Sequence, residues 1–165
     1  MNYSLIREMD ISNGPGVRVS LFCSGCEFHC KNCFNPQTWN FDNGKKFDDN
    51  TLEQILELMD KPYVTGLSLL GGEPLHPRNV DEIHKIVLAV KNKFPTKTIW
   101  IWSGFVYENL NDKQLSCVKD VDVLVDGQFV DELKDFRLKY RGSSNQRVID
   151  IKRTIESNKV IEFES

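Results

Sequence analysis

Short apolar segments alternate with amphipathic segments along most of the chain, and this alternation limits the folds it can adopt. Four runs have the length and composition of buried β-strands, at residues 17–22, 64–70, 98–102 and 121–125. Between them, apolar residues repeat with helical spacing at residues 52–59 and 80–90, and more weakly at 107–115. Strands that alternate with helices favour right-handed parallel βαβ units, whose functional groups gather at the carboxyl ends of the strands.

Chain length sets how many such units can form. A closed ring of eight units takes about 250 residues, whereas this chain has 165. We therefore expect an α/β fold, an incomplete (open) parallel β/α barrel that forms a single domain over residues 1–165. Residues 148–155 and 159–163 alternate in polarity on either side of Glu156-Ser157-Asn158. This pattern predicts a C-terminal antiparallel hairpin appended to the sheet.

Composition and charge narrow the classes of function. The chain is 40% hydrophobic and 27% charged, with no apolar run near the roughly 20 residues of a membrane-spanning helix. Its N-terminus has neither the basic nor the apolar region of a secretory signal, so we expect a cytoplasmic protein without a membrane partner. A net charge of -3 provides no basic field, which argues against direct binding to nucleic acid.

Four of the five cysteines lie within 11 residues, directly after the first predicted strand. Without an export signal, such clustering indicates metal or redox chemistry rather than disulfides. The spacing C-x3-C-x2-C at Cys26, Cys30 and Cys33 allows three thiolates to hold one face of a cubane 4Fe-4S cluster. The fourth iron then has no protein ligand and is a reaction site. Cys117 stands apart and is expected to be a small buried apolar residue.

The residues around these cysteines leave other interpretations open. Aromatic Phe28 and Phe34 suit a shielded cluster, and Lys31 would offset its negative charge. With Cys23 as a fourth ligand, the same segment would instead form a closed zinc site, or it would act as a dithiol redox motif. We interpret His29 as a polar neighbour of the cysteines rather than a metal ligand.

A set of motifs spread over most of the chain carries a family resemblance. It comprises NGPGVR (residues 13–18), the three cysteines with the following Asn35-Pro36, GGEP (71–74) within the segment 60–77, IWIWSG (99–104), VLVDG (123–127) and RGSSNQ (141–146). Together they resemble the radical S-adenosylmethionine (SAM) glycyl-radical activating enzymes and, within them, the activating proteins of anaerobic ribonucleoside-triphosphate reductases. The resemblance covers roughly residues 1–147 and does not extend to the tail after about Ile151.

This resemblance implies an activity, cofactors and partners. A reduced 4Fe-4S cluster on Cys26, Cys30 and Cys33 would give one electron to bound SAM and break the bond from its sulfur to the 5′ carbon homolytically. The 5′-deoxyadenosyl radical would take a hydrogen atom from a glycine Cα of an anaerobic ribonucleoside-triphosphate reductase in a complex of the two proteins. A glycyl radical, methionine and 5′-deoxyadenosine result. A one-electron donor such as reduced flavodoxin would supply the electron.

The resemblance also implies which residues contact SAM. They are Asn32, Cys33, Phe34, Gly71, Gly72, Glu73, Ser103 and Asp126, with Gln128 close to the last of them. The glycine pair would present its backbone to the methionine amino group and Glu73 would supply an acceptor beside it. Asn32 and Phe34 would lie over the adenine, and Ser103 and Asp126 would contact the ribose or the carboxylate. The plainer alternatives are simple turns at GGEP, at Ser103-Gly104 and at Asp126-Gly127, and core packing for Phe34.

Other functions remain open on the residues alone. The nearest are activation of another glycyl-radical enzyme, such as a formate lyase, and a small radical SAM synthase acting on a heterocycle. A zinc-binding interaction module, from a different class, would use the same cysteines structurally. Residues 141–147 carry Arg141 and Arg147 without hydrophobic periodicity. They are either a solvated loop or a contact for the partner beside the gap of an incomplete barrel.

Overall fold

The computed structural model describes residues 1–164, which contain seven β-strands and four α-helices. The strands are β1 (Asn2–Asp10), β2 (Val17–Cys23), β3 (Lys45–Lys46), β4 (Val64–Gly71), β5 (Thr98–Trp102), β6 (Val123–Asp126) and β7 (Arg147–Asp150). The helices are α1 (Asp49–Met59), α2 (Val80–Lys93), α3 (Asp112–Val118) and α4 (Ile151–Ser157). Short 3-10 helices lie at Pro36–Thr38, Tyr107–Asn109 and Asp131–Leu133.

All seven strands form one mixed sheet, in the order β3-β1-β2-β4-β5-β6-β7. Strands β2, β4, β5 and β6 are parallel, as the alternation of strands and helices predicted, and α1, α2 and α3 lie in the crossovers between them. At the edges, β1, β3 and β7 are antiparallel to their neighbours. The expected open parallel β/α barrel is therefore wrong, because the chain builds a small α/β fold around a mixed sheet.

The connections explain this difference. Each parallel pairing needs a crossover of about a dozen residues or more. Residues 17–126 contain three helical crossovers, with α1, α2 and α3, and three crossovers connect only four parallel strands. Strand β1 instead turns back at residues 11–16 and pairs with β2 in antiparallel register, with Tyr3 opposite Cys23 and Asp10 opposite Arg18. The sequence did not predict β1, because its side chains do not alternate cleanly between buried and exposed positions.

The two faces of the sheet bury different side chains, since successive residues of a strand point to opposite faces. One face packs against all four helices in the main hydrophobic core, which includes Leu21, Leu69, Ile101, Ile55, Val87, Cys117 and Ile151. The other face is covered by the connection between β6 and β7, residues 127–146, which we call the β6–β7 loop. Here Trp102 Nε1 donates a 2.7 Å hydrogen bond to the Tyr140 carbonyl. The candidate site lies on this helix-free face.

A fully buried arginine braces the helix-free face. Arg18 of β2 donates from Nε to Ser68 Oγ at 2.8 Å and from its terminal nitrogens to the carbonyls of Leu67 and Thr98. Burial lowers the pKa of Arg18 to about 10. Because Ser68 Oγ donates in turn to the Asn13 carbonyl at 2.6 Å, the turn between β1 and β2 is tied to the middle of the sheet.

The helix ends follow capping chemistry. Helix α1 is capped by Asp48, whose carboxylate accepts from the Thr51 N–H at 2.9 Å. The weak helix expected at 107–115 is a 3-10 helix followed by α3, which Asn111 caps. Within residues 1–164, no helix combines the length and apolarity that crossing a membrane requires.

The expected C-terminal hairpin is also wrong. Strand β7 ends at Asp150, whose side chain accepts from the Arg153 N–H at 3.1 Å and starts α4. Residues 151–157 have a helical spacing as well as the alternation in polarity, since Ile151 and Thr154, three residues apart, are the buried residues of α4. After the helix, the chain returns to make an isolated antiparallel bridge between Glu162 and Ile149. The tail therefore covers the edge of β7 with a helix and a short return segment.

Candidate functional site

A cavity of about 440 Å³ lies on the helix-free face, beside the carboxyl ends of the central parallel strands. Phe22, Leu70 and Trp102 of β2, β4 and β5 form one wall, and the β6–β7 loop forms the opposite wall. The volume falls in the range of about 300–1,000 Å³ that small-molecule sites occupy. The polar ends of the strands therefore meet over a space that suits a ligand.

Burial divides the cysteines into two groups. Cys26, Cys30 and Cys33 are partly exposed and line the cavity, whereas Cys23 and Cys117 are fully buried and do not line it. Burial raises the pKa of Cys26 to about 11 and raises that of Cys30 as well. Because metal binding requires the thiolate, ligand formation at these two residues would release protons.

The cysteine loop, residues 24–35, is folded by sharp turns and by contacts with the segment that follows it. The Cys26 N–H donates to the Trp39 carbonyl at 3.1 Å. His29 and Asn32, on either side of Cys30, have left-handed φ angles of 47° and 56°, which reverse the chain within a few residues. The ring of His29 stacks on Trp39 at 4.4 Å. His29 thus packs the cysteine loop against Trp39.

The three thiols suit a cluster better than a single metal ion. Across the described residues, no group of three or more His, Cys, Asp or Glu side chains surrounds one ion position. A cubane cluster does not need such convergence, because each cysteine binds a different iron. A tetrahedral zinc site would require Cys23 as a fourth ligand, and its side chain is fully buried outside the cavity. The donor set fits a 4Fe-4S cluster that faces the cavity.

The glycine pair lies where the end of β4 meets the cysteine loop, and both glycines line the cavity. The Gly72 N–H donates to the Cys23 carbonyl at 2.9 Å, and a Cβ on Gly72 would lie 2.7 Å from the Gly25 carbonyl oxygen. Gly71 has a φ of 113°, a conformation that favours glycine. Protein backbone therefore already approaches these glycines, whether or not a ligand does so too.

Glu73 joins the end of β4 to the end of β5. Although only 2% exposed, its carboxylate accepts from Ser103 Oγ at 2.7 Å, from the Gly104 N–H at 2.7 Å and from the Leu75 N–H at 2.9 Å. Burial raises the pKa of Glu73 to about 7, against the lowering effect of these hydrogen bonds. The interaction fixes Ser103 and Gly104 at the cavity, where the ring of Phe28 lies close to Gly104.

Asp126 lies outside the cavity. It is 1% exposed and accepts two hydrogen bonds from Arg147, at 3.1 and 2.6 Å, and one from the Tyr107 N–H at 2.9 Å. It therefore ties β6 to β7 and to the segment after β5. Gln128, two residues further on, does line the cavity, with its Oε1 3.9 Å from the sulfur of Cys30.

Six of the eight residues that the resemblance implies for SAM line this one cavity. They are Cys33, Phe34, Gly71, Gly72, Glu73 and Ser103. Phe34 is 59% exposed and packs its ring 4.9 Å from that of Phe129. Asn32 is exposed and, like Asp126, is not among the lining residues.

Sequence reasoning missed several lining residues. Arg7 lines the cavity from β1 and places its guanidinium 5.1 Å from the centre of the Phe22 ring. No sequence pattern indicated Arg7, because β1 itself was not predicted. Asn13 was named only as part of the NGPGVR motif, without a role at the site. Trp102 could have been found, since alternation along β5 puts it on the face opposite Ile101.

Comparison with known proteins agrees with this geometry. Residues 12–149 match the family described as "4Fe-4S single cluster domain", which places the chain in that class of iron–sulfur protein. It is 45% identical over 148 residues to the anaerobic ribonucleoside-triphosphate reductase-activating protein of Enterobacteria phage T4, covering 90% of this chain and 93% of that protein. Identity to the protein of the same name from Escherichia coli K12 is 44% over 150 residues, covering 90% and 97%. For that of Vibrio cholerae it is 40% over 148 residues, covering 88% and 96%. The chain belongs to the family of anaerobic ribonucleoside-triphosphate reductase-activating proteins.

Proposed function

We propose that this chain activates an anaerobic ribonucleoside-triphosphate reductase and that it does so as a radical SAM enzyme. The names of its relatives state the first part for those proteins. The observation that carries the second part is the sorting of the cysteines. The three that can hold a cluster with an open iron line one cavity with the glycine pair, and the other two are buried away from it.

Cys26, Cys30 and Cys33 would hold the 4Fe-4S cluster. When bound and reduced by a donor such as reduced flavodoxin, the cluster supplies the electron that cleaves SAM and so allows hydrogen abstraction from a glycine Cα of the reductase. The protein's own contribution is to bind, orient and exclude water. Phe22, Leu70 and Trp102 give the cavity an apolar wall that keeps water from a reactive carbon centre.

The polar ends of the strands would orient SAM. Gly71 and Gly72 present backbone to the methionine amino group, and Ser103, which follows β5 and is bonded to Glu73, lines the same cavity. An ionised carboxylate has about four acceptor positions, and three donors within the chain already occupy Glu73. Glu73 therefore has room for one further donor, such as an ammonium. Phe34 and Cys33 would border the adenine. Asp126 would not contact SAM, because its carboxylate is bonded to Arg147 and the Tyr107 N–H outside the cavity.

Anaerobic reconstitution tests this proposal. We expect about four irons per chain and reductant-dependent conversion of SAM to methionine and 5′-deoxyadenosine. Adding the reductase should then produce a glycyl radical, detected by electron paramagnetic resonance, whereas a formate lyase offered under the same conditions should give none. A colourless protein with one tightly bound zinc, or a radical on the lyase alone, would contradict the proposal.

A further inference from the structure

The base of the β6–β7 loop is held by hydrogen bonds within the loop. The Gln146 side chain accepts from the Gly142 N–H at 2.8 Å and donates to the Gly127 carbonyl at 3.0 Å. Arg141 donates to the carbonyls of two residues of the same loop, and Asn145 donates to a third. The side chains of Arg141, Asn145 and Gln146 therefore shape the base of the loop.

The tip of the loop, residues 135–138, is exposed at the cavity. Phe136 is 85% exposed and yet lines the cavity, so its ring lies at the cavity opening. Asp135 accepts from the Arg137 main-chain N–H at 2.9 Å and from the Arg137 guanidinium, so hydrogen bonds of its own order the tip. Phe34, 59% exposed, borders the same opening. Two exposed aromatic rings thus lie next to the candidate site. Exposed aromatic rings beside a cavity are typical of surfaces that bind a partner.

The opening is also positively charged. Arg7 and Arg141 line the cavity, and the exposed Lys139 lines a smaller neighbouring cavity together with Tyr140 and Arg141, which line both. None of these three cations forms an ion pair with a carboxylate among residues 1–164, although eight ion pairs of a lysine or arginine occur there. An aromatic opening with unpaired cations around it complements a surface that is apolar at its centre and acidic at its edge.

We propose that the reductase docks on this opening, with Phe136 covered by an apolar side chain close to the target glycine and with acidic groups facing Arg7 and Lys139. The inference rests on the proposed function, because the glycine Cα must reach the cavity lined by the three thiols. A protein segment that enters there has to pass the ring of Phe136. This geometric continuity between the opening and the cavity identifies the occupant as the reductase.

Measuring binding and activation separately tests the docking surface. The reconstituted wild type, Phe136→Ser and Leu88→Ser are compared, since Leu88 is 48% exposed on α2 at the opposite face of the sheet. Losing one buried aromatic contact should weaken reductase binding about tenfold or more in Phe136→Ser, and raise the reductase concentration needed for half-maximal glycyl radical by a similar factor. Leu88→Ser should match the wild type. Production of 5′-deoxyadenosine without the reductase is measured in all three proteins, so that a change in SAM turnover is separated from a change in reductase affinity.

The charge is tested in the same assay. Lys139→Glu should weaken binding more at low than at high ionic strength, and Lys119→Glu, an exposed control at the end of α3, should not. Unchanged reductase affinity in both Phe136→Ser and Lys139→Glu would overturn the docking proposal. Failure of the proposed function is seen separately, as absence of reductase binding and of a glycyl radical in the wild type.

Discussion

Among single residues, the five cysteines differ most clearly in their surroundings. Replacing Cys30 by alanine should abolish cluster assembly and SAM cleavage, because its thiol lines the cavity with those of Cys26 and Cys33. Cys23→Ala and Cys117→Ala should keep full iron content and SAM cleavage, with a loss of about 1 kcal/mol in stability from the small voids. Iron analysis and product assays measure both. Loss of the cluster in Cys23→Ala but not in Cys117→Ala would show that Cys23 is a ligand.

Gly72 contacts the cysteine loop directly, which changes what its replacement should do. An alanine Cβ would lie 2.7 Å from the Gly25 carbonyl oxygen, one residue before Cys26. Gly72→Ala should therefore lower iron content and SAM affinity together, because displacing that backbone moves the first ligand. Gly127→Ala is a useful comparison: it strains a φ of 98°, but the nearest atom to its Cβ would be Asn145 Nδ2 at 3.7 Å. A folded Gly72→Ala protein with normal iron and weak SAM binding would assign the glycine to the ligand alone.

Two buried carboxylates, Glu73 and Asp126, connect elements of the fold. Titration of Glu73 makes the stability of the folded chain depend on pH. Its pKa is raised from 4.5 to about 7 in the folded chain, so the folded state keeps a proton that the unfolded state loses in this range. Stability should therefore fall as pH rises from about 4.5 to 7, by at most about 3 kcal/mol. Denaturation of the reconstituted wild type and Glu73→Gln at several pH values checks this. The difference in free energy of unfolding between the two proteins should change from pH 4.5 to about 7 and be constant above pH 7. A difference that is constant at every pH would contradict the raised pKa of Glu73.

The second carboxylate, Asp126, pairs with Arg147 across β6 and β7. Arg147→Met should cost about 3 kcal/mol, because it leaves a buried carboxylate without its cation. Adding Asp126→Asn should recover much of that loss, since the uncompensated charge is then removed. Urea denaturation of the two single variants and the double variant gives the coupling free energy. Losses that simply add would mean that the pair contributes nothing as a pair.

Elements were predictable where local pattern and tertiary environment agree. The strand at 98–102 was predicted with the ends it has, and the α2 pattern was confirmed, because these segments bury one face against the main core. Strand β1 was not, because its side chains do not alternate cleanly between buried and exposed positions. The tail was not, because the burial of Ile151 depends on neighbours far away in the chain. The cysteines and glycines could be assigned to one site from spacing and resemblance. Arg7 and Phe136 could not, since their place at the cavity depends on an edge strand and a long loop.

The whole molecule divides its functions between the two faces of one sheet. All four helices pack on one face and form the main core, so the other face is free to carry the thiols, the glycine pair and the cavity. The β6–β7 loop covers that face in part and leaves an opening bordered by exposed aromatic rings. A barrel is not needed for this arrangement. Four parallel strands suffice to bring the polar strand ends together beside the cysteine loop.

The central claim is that a fragment of SAM, generated in this cavity, removes hydrogen from a glycine of the reductase. The most direct measurement uses reductase produced with deuterated glycine and follows deuterium by mass spectrometry after one round of activation. We expect one deuterium atom in the 5′-deoxyadenosine for each glycyl radical formed, and no deuterium when the reductase carries ordinary glycine. Glycyl radical formation with 5′-deoxyadenosine that contains no deuterium would contradict the account, because the hydrogen would then have been taken by another group.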